Sequence, residues 1–215
     1  MACGVLRLEE FGVPQTRRRA TLIARRHGTA TLPVATHRPY RKGVSRVEGD
    51  HQRLPWLTMS DVLDRPEPFE VISNYGVGGN AKNRGRRTSA EPAFTATGKI
   101  NRCKILTKDY VALPRFTLAE AGRLQSFPAD YPWAGNNIAQ QIGNAMPPLL
   151  AVHVLAAALG RLQPPEDTAI ASALRLQRRS GSDHRLTSAS GTHRVTDSRG
   201  SSHLMTPWTQ RCEAP

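Results

Sequence analysis

The chain has 215 residues, 39% of them apolar, and its net charge is +13 with a pI near 10.8. This charge favours a polyanionic partner such as nucleic acid, and the lack of a long apolar or amphipathic stretch argues against a membrane. Three dispersed cysteines without a C-x-x-C pair, and seven histidines without metal-ligand spacing, indicate a reduced cytoplasm and no structural zinc.

The first predicted unit is a strand, a turn and a second strand. Strand-forming residues occur at 4–8 and 20–24, and the letters FGVP between them predict a turn. The turn leads into QTRRR, where Gln15, Arg17 and Arg19 share one face of an extended chain because side chains alternate. Three such donors suit phosphates and base edges, since a guanidinium presents a planar fork of N–H groups. A solvated arginine cluster on a hairpin is the alternative.

Residues 28–110 are rich in Pro, Gly, Arg, Thr and Asn, so a region of loops and strands is predicted. A helical period is visible at residues 60–63. Within residues 80–104 there are seven basic side chains and one acid, Glu91, a balance that suits phosphate contacts and base-edge hydrogen bonds. The seven candidates for DNA binding are Lys82, Arg84, Arg86, Arg87, Lys99, Arg102 and Lys104.

Two loops in this region have competing interpretations. The glycine-rich residues 76–79 indicate a flexible turn more than a phosphate-binding loop, because no strand-to-helix context surrounds them. Residues 80–87 fit either a mobile DNA-contacting loop or a solvated loop, and their position in the chain favours the first.

Two helices are predicted between residues 115 and 160. Thr117 and Glu120 form the S/T-x-x-E capping box that begins the first one, and Leu118, Ala121 and Leu124 follow at helical spacing. The prolines at 147 and 148 fit the first turn of the second, whose apolar residues 149–159 end before Gly160. At about 1.5 Å per residue this helix is about 16 Å long, too short to span a membrane, and a buried helix is predicted.

The remainder of the chain is rich in Ser, Thr, Gly and Arg. Apart from a short helical turn at residues 169–177, its apolar content is too low to offset the entropy of ordering, so a disordered tail is predicted. From Arg161 onward eight arginines face five acids, a net of +3, and ten of the thirteen net charges therefore lie before Arg161.

Three segments together resemble a known family. The pattern R-x-T-x-x-E-x-x-R-L-Q-S-F-P from Arg115, followed by Q-x-G-N-A-x-P-P from Gln141, resembles the last two motifs of the DNA cytosine-C5 methyltransferases. The stretch FGVPQTRRRATLIA resembles that family's Q-x-R-x-R motif. Two core helices joined by a polar loop would also explain the leucines and prolines, but would leave Gln125, Gln141 and Asn144 without a purpose.

The resemblance implies the architecture. It indicates an α/β fold, the C-terminal fragment of a Rossmann-like S-adenosyl-L-methionine-dependent methyltransferase. Residues 1–27 would be the end of the first part of the catalytic domain, and residues 28–110 would form the target-recognition region. Residues 111–160 would belong to the catalytic domain again. Residues 161–215 would be the disordered tail. Motif matches cover about residues 5–24 and 115–159, with an unmatched recognition region between them.

The resemblance also implies roles for single residues. Arg19 would contact the flipped cytosine, while Gln15 and Arg17 would support the DNA-facing loop. Asn144, at the start of a helix, and Ala145 would line the S-adenosylmethionine pocket. Met146 stands where the family usually has Val, and its flexibility affects the fine shape of that pocket.

Other parts of the family's chemistry are not found in this sequence. The nucleophilic Cys of a Pro-Cys motif, the Glu of a Glu-Asn-Val motif and the glycine-rich cofactor turn have no match, and each cysteine follows Ala or Arg. The sequence therefore predicts the C-terminal part of a bacterial or phage-encoded enzyme, inactive alone, that binds double-stranded DNA and needs an N-terminal half. A stand-alone DNA-binding module and an inactive remnant are the alternatives.

Overall fold

The computed structural model describes residues 1–65, 68–76 and 83–161. Within these ranges strands and helices are mixed, as expected for an α/β methyltransferase. The strands are β1 (Ala2–Arg7), β2 (Arg18–Ile23), β3 (Phe69–Gly76), β4 (Arg84–Thr88), β5 (Lys104–Thr107) and β6 (Ala112–Leu113). The α-helices are α1 (Met59–Val62), α2 (Leu118–Leu124), α3 (Ile138–Asn144) and α4 (Pro148–Ala158).

The strands form two antiparallel sheets. β1 and β2 pair with each other as a hairpin, with Val5 opposite Ala20, and both strands lie near the predicted positions. The other sheet has the order β4-β3-β5-β6, and Ile72 on β3 lies opposite Arg86 on one side and Lys104 on the other. The predicted tail and the short helical turn at 169–177 lie outside the described residues, as do residues 77–79 of the glycine-rich turn.

The capping box predicted for α2 is confirmed. The Thr117 hydroxyl accepts the Glu120 N–H at 3.1 Å, and a Glu120 carboxylate oxygen accepts the Thr117 N–H at 2.8 Å. Ala121 and Leu124 are buried, whereas Leu118 is partly exposed. The helical turn predicted at 60–63 is also present as α1, one residue earlier than expected.

The helix α3 was not predicted. Its sequence, IAQQIGN, has large apolar residues only at Ile138 and Ile142, and it contains a glycine. The spacing of these two isoleucines is a full helical turn, which is the signal that was available. Ile142 is completely buried in the larger core and Ile138 packs against the same core, so these two contacts position the helix.

The helix α4 begins at the predicted prolines and is followed by Gly160 at φ +74°, a conformation that favours glycine. Leu149 and Leu150 pack on residues of β1 and on the short 3-10 helix Leu8–Phe11. The opposite side is not covered by the described residues, because Val152 and Leu155 are exposed. The prediction of a buried helix is therefore right for one face only.

The described residues form one large and two smaller hydrophobic clusters. The large core joins α1, β3, β5, α2 and α3. The smaller clusters join the hairpin to α4. None of the helices in the described ranges has the length and apolarity needed to cross a bilayer.

Candidate functional site

A completely buried glutamine connects the three motif segments. The Gln15 Nε2 donates to Gln125 Oε1 at 2.7 Å and to the Leu124 carbonyl at 3.2 Å, while its Oε1 accepts the Ala96 N–H at 2.8 Å. Gln125 in turn donates to the Ile142 carbonyl at 2.8 Å. Both glutamines have no exposed surface. Because buried polar groups are costly unless hydrogen-bonded, this network fixes the relative position of the segments.

Arg17 and Arg19 extend the same connection toward the end of α3. The Arg17 Nη1 donates to the Gly143 carbonyl at 2.6 Å and to the Ala96 carbonyl at 3.0 Å. The Arg19 Nη2 donates to the carbonyls of Ala145 at 3.1 Å and Asn144 at 3.3 Å. The last carbonyls of a helix have no intrahelical partner and carry partial negative charge, so two guanidinium groups are well placed there.

Arg17 and Arg19 are both partly buried. Burial lowers the pKa of the Arg17 guanidinium, and the nearby positive charge of Arg19 lowers that pKa further. The Arg19 Nε is buried and has no hydrogen-bond partner. The two side chains therefore hold positive charge in a partly desolvated position, next to the segment that includes Asn144 and Ala145.

The position of Asn144 differs from the prediction. Asn144 is the last residue of α3, and α4 begins only at Pro148, so the expected location at a helix start is wrong. The reason is α3 itself, which the sequence pattern did not indicate. The side chain is exposed, and its Oδ1 accepts Gln140 Nε2 at 2.9 Å. Ala145, which follows in extended conformation, is half-buried, and Met146 is exposed.

Gly143 permits α3 to approach the segment around Thr97. A Cβ at this position would lie 2.7 Å from the Gly98 nitrogen and 2.8 Å from the Thr97 carbonyl carbon. Such distances are not compatible with any other residue without movement of the backbone. The motif from Gln141 contains Gly143, but its sequence pattern predicts no role for this glycine.

The basic residues of the predicted recognition region, residues 28–110, occupy different environments. Arg86 on β4 and Lys104 on β5 flank Ile72 on the outer face of the four-stranded sheet, and Arg86 is ion-paired with Glu70 at 2.8 Å. Lys99 and Arg102 are exposed before β5, and Arg84 is half-buried at the start of β4. Lys82 lies outside the described residues.

Arg87 points to the inner side of this sheet. Its guanidinium lies 4.5 Å from the Phe94 ring centroid and 4.9 Å from that of Tyr40, and it donates to the carbonyls of Pro92 and Ala93. Burial lowers its pKa. Strand alternation explains the difference from Arg86, since neighbouring residues of a strand face opposite sides. Arg87 is thus engaged in packing.

Two of the three cysteines lie in the described part of the chain, and their environments differ. Cys3 is exposed on the hairpin, Cys103 is buried with its pKa raised by burial, and Cys212 is outside the described ranges. A raised pKa keeps the Cys103 sulfur as a thiol, which is a poor nucleophile. Among the residues that the structure describes, no group of three or more His, Cys, Asp and Glu side chains could hold a metal ion.

Comparisons with known proteins agree with the arrangement of the motifs. The family model for C-5 cytosine-specific DNA methylase matches residues 46–159. This range includes most of residues 28–110, the predicted recognition region, which carries none of the three motifs. The Type II methyltransferase M1.HphI of Haemophilus parahaemolyticus is 30% identical over 184 residues, covering 73% of this chain and 47% of the relative. The chain thus spans about half the length of the curated relative that it matches.

Proposed function

Because this chain belongs to the C-5 cytosine-specific DNA methylase family, we propose that it is the C-terminal part of a DNA (cytosine-5-)-methyltransferase. It binds double-stranded DNA and takes part in the transfer of a methyl group from S-adenosylmethionine to C5 of a flipped cytosine. A Rossmann-like catalytic domain is completed by an N-terminal half that supplies the thiol, the glutamate and the glycine-rich cofactor turn. The Type II relative supports a role in restriction-modification within a bacterial cytoplasm.

The observation that carries this proposal is the set of contacts made by Gln15, Arg17 and Arg19. All three side chains of the Q-x-R-x-R motif form hydrogen bonds with residues of the two later motifs, and Gln15 also bonds to Ala96 in the intervening segment. Motifs separated by more than a hundred residues therefore form one unit. A chance resemblance in unrelated segments would have no reason to converge in this way.

The proposed roles follow from where the side chains lie. Extrusion of a cytosine from the duplex loses a few kcal/mol of stacking and pairing energy, and contacts in the enzyme must compensate for this loss, by about the same amount. Arg19 is suited to that contact, because a guanidinium stays charged at physiological pH and can donate to the cytosine carbonyl. The same guanidinium donates hydrogen bonds to the carbonyls of Asn144 and Ala145, in the segment that we propose binds S-adenosylmethionine. Gln15 and Arg17 position this unit.

The DNA-binding surface is proposed to consist of the exposed and half-buried basic residues around the four-stranded sheet. It includes Arg86 and Lys104 on the outer face, together with Arg84, Lys99 and Arg102. Lys82 belongs to this proposal by its position in the sequence, whereas the packing of Arg87 argues for a supporting role. If about four to six phosphates are neutralised, log affinity should fall against log salt with a slope of about −4 to −5.

Exposed apolar surface supports the proposed N-terminal half. Val5 and Leu22 are each 62% exposed on the outer face of the hairpin, and Val152 and Leu155 are exposed on α4. A two-stranded sheet is only marginally stable in water, and exposed apolar patches commonly mark interfaces. A stand-alone DNA-binding module, the alternative function, gives no reason for this surface.

Methyl transfer by recombined halves tests the proposal. Tritiated methyl incorporation into DNA is measured with this chain alone, with the N-terminal half of a relative alone, and with both mixed. Incorporation is expected only in the mixture. Arg19→Ala should reduce kcat by roughly tenfold or more, because one charge-assisted hydrogen bond is worth about 1.5–3 kcal/mol.

Variants of the cofactor segment sharpen the same assay. Asn144→Ala should mainly raise the KM for S-adenosylmethionine, whereas Arg26→Gln, an exposed arginine after β2, should change neither constant. DNA binding without incorporation in any mixture would favour the stand-alone module. Incorporation by this chain alone would contradict the proposed need for a second half.

A further inference from the structure

A basic cavity lies beside the end of the hairpin where Arg7 of β1 is opposite Arg18 of β2. Its volume is about 350 Å³, and Arg7, Arg17, Arg18 and Arg87 all contribute to its lining. Glu9 is the only carboxylate among the lining residues. Four guanidinium groups and one carboxylate give this small space a large excess of positive charge.

The four arginines form no salt bridge in the described part of the chain, although Glu9 interacts electrostatically with Arg7 and Arg87, and Glu91 with Arg87. Five ion pairs occur there, and none of them includes Arg7, Arg17, Arg18 or Arg87. Like charges that lie directly opposite each other in a sheet are destabilising. The Arg7 and Arg18 pair is therefore unfavourable unless an anion lies between or beside the two side chains.

The arginines divide into fixed and free groups. Arg17 and Arg87 each bind two backbone carbonyls through Nη1 and are partly buried, so their positive charge is held in place. Arg7 and Arg18 are exposed. Fixed positive charge behind two mobile planar donors is the arrangement that suits a phosphate, whose oxygens match the guanidinium fork.

Glu9 is the one group that opposes an anion. It is 5% exposed, and its Oε2 is buried without a hydrogen-bond partner. Burial raises its pKa, which reduces the cost of protonating it when negative charge enters the cavity. Tyr40, also in the lining, donates its hydroxyl to Glu91 and remains neutral with a pKa of about 12.

We propose that this cavity binds a phosphodiester group of the DNA backbone, with Arg7 and Arg18 as the mobile donors and Arg17 and Arg87 as fixed positive charge. The inference rests on the proposed DNA-binding function and adds a contact on the hairpin to the surface around the four-stranded sheet. Arg7 lies outside the Q-x-R-x-R motif, and Arg18 occupies one of its variable positions. Free phosphate has the same chemistry, so the experiment must distinguish the two sources.

Salt dependence of duplex binding by the full chain is the first measurement. The double variant Arg7→Gln with Arg18→Gln should lower the magnitude of the log–log slope by about 0.9, the value for one phosphate. The control pair, Arg26→Gln with Arg161→Gln, removes the same charge from exposed positions and should leave the slope unchanged. If the native chain binds DNA and the first variant has an unchanged slope, the cavity proposal is wrong while the proposed function stands.

Arginine modification by phenylglyoxal, followed by mass spectrometry, is the second measurement. Duplex DNA should protect Arg7 and Arg18 at the concentrations at which it binds, and inorganic phosphate should protect them only at far higher concentration than DNA, with chloride at equal ionic strength as the reference. Protection by phosphate in a chain that does not bind DNA would identify a free-phosphate site and overturn the backbone assignment. Protection by neither ligand would overturn the anion site itself.

Discussion

Two regions of the molecule differ on their outer faces. One is the hairpin packed on α4, and the other is the four-stranded sheet; both bury apolar side chains on their inner side. Away from the end that carries the exposed Arg7 and Arg18, the hairpin unit exposes apolar side chains, namely Val5 and Leu22 on the hairpin and Leu155 on α4. The sheet instead exposes Arg86 and Lys104 on either side of Ile72. The difference separates two kinds of partner, because apolar surface is removed from water by polypeptide, whereas positive charge is neutralised by phosphate.

Gln15 connects the hairpin to the core of the four-stranded sheet, so its replacement should show whether the two regions depend on each other for stability. Gln15→Leu should lower the free energy of unfolding by at least about 3 kcal/mol, because each buried polar group left unpaired costs about 1–3 kcal/mol and three lose their partner. Urea unfolding measures the change. Gln52→Leu, at an exposed position, is the matched control and should change stability by less than about 0.5 kcal/mol.

Equal stability of the two glutamine variants would mean that the hairpin and the sheet do not depend on the buried network. The two units would then unfold independently, and the transition would show two steps by circular dichroism. A single transition at lower urea concentration is the expected result for Gln15→Leu.

The two sides of α4 provide the second test of the comparison. Leu150 is completely buried, and Leu155 is 61% exposed on the same helix. Leu150→Ala should cost about 2–5 kcal/mol in the isolated chain, and Leu155→Ala less than about 0.5 kcal/mol. With the N-terminal half added, Leu155→Ala should weaken association, measured by isothermal titration calorimetry. Unchanged affinity for the Leu155 variant would remove α4 from the proposed interface.

Local patterns in the sequence predicted the elements that are defined by local chemistry. The α2 capping box, the prolines that begin α4 and the hairpin strands all depend on residues within one or two turns of each other. The helix α3 was missed because it depends on Ile142, whose burial requires side chains brought from distant parts of the chain. Its own composition, with a glycine and only two large apolar residues, gives a weak helical signal.

The candidate site was predictable in its residue types and less so in its contacts. Gln15, Arg17 and Arg19 were identified from their motif, but the burial of Gln15 depends on Gln125, which lies 110 residues away. Arg86 and Arg87 are indistinguishable by charge in the sequence. Their separation to opposite faces follows from the strand β4, which the sequence did not indicate. The seven basic residues within 80–104 were therefore predicted as one group for DNA binding, although Arg87 is engaged in packing.

The third prediction tests the basic outer surface. Arg102→Gln with Lys104→Gln should lower the magnitude of the salt slope for duplex binding by about 1.8, corresponding to two phosphates. Fluorescence anisotropy of labelled DNA from 50 to 200 mM salt measures the slope. The pair Arg26→Gln with Arg161→Gln serves again as control. Equal slopes for both pairs would show that DNA binding depends on net charge and not on this surface.

The smallest expected effect concerns His153, which faces the apolar inside of the hairpin unit. It is 3% exposed, its ring lies 5.2 Å from that of Phe11, and its Nε2 is buried without a hydrogen-bond partner. Burial lowers its pKa below the ordinary value of 6.5. The unfolded chain therefore binds a proton more readily than the folded chain, and stability should fall as the pH falls below about 6.5.

The measurement for His153 is the difference in pH dependence between variants, since other groups titrate in the same range. Between pH 7.5 and 5.5 the native chain should lose about 1 kcal/mol more than His153→Leu, because the contribution of one group cannot exceed about 1.4 kcal/mol per pH unit. His51→Asn, at an exposed position, should behave like the native chain. If His153→Leu keeps the native pH dependence, the imidazole is hydrated or partnered in solution, and the hairpin unit is less tightly packed on its inner face than the contacts of Phe11 and Leu150 indicate.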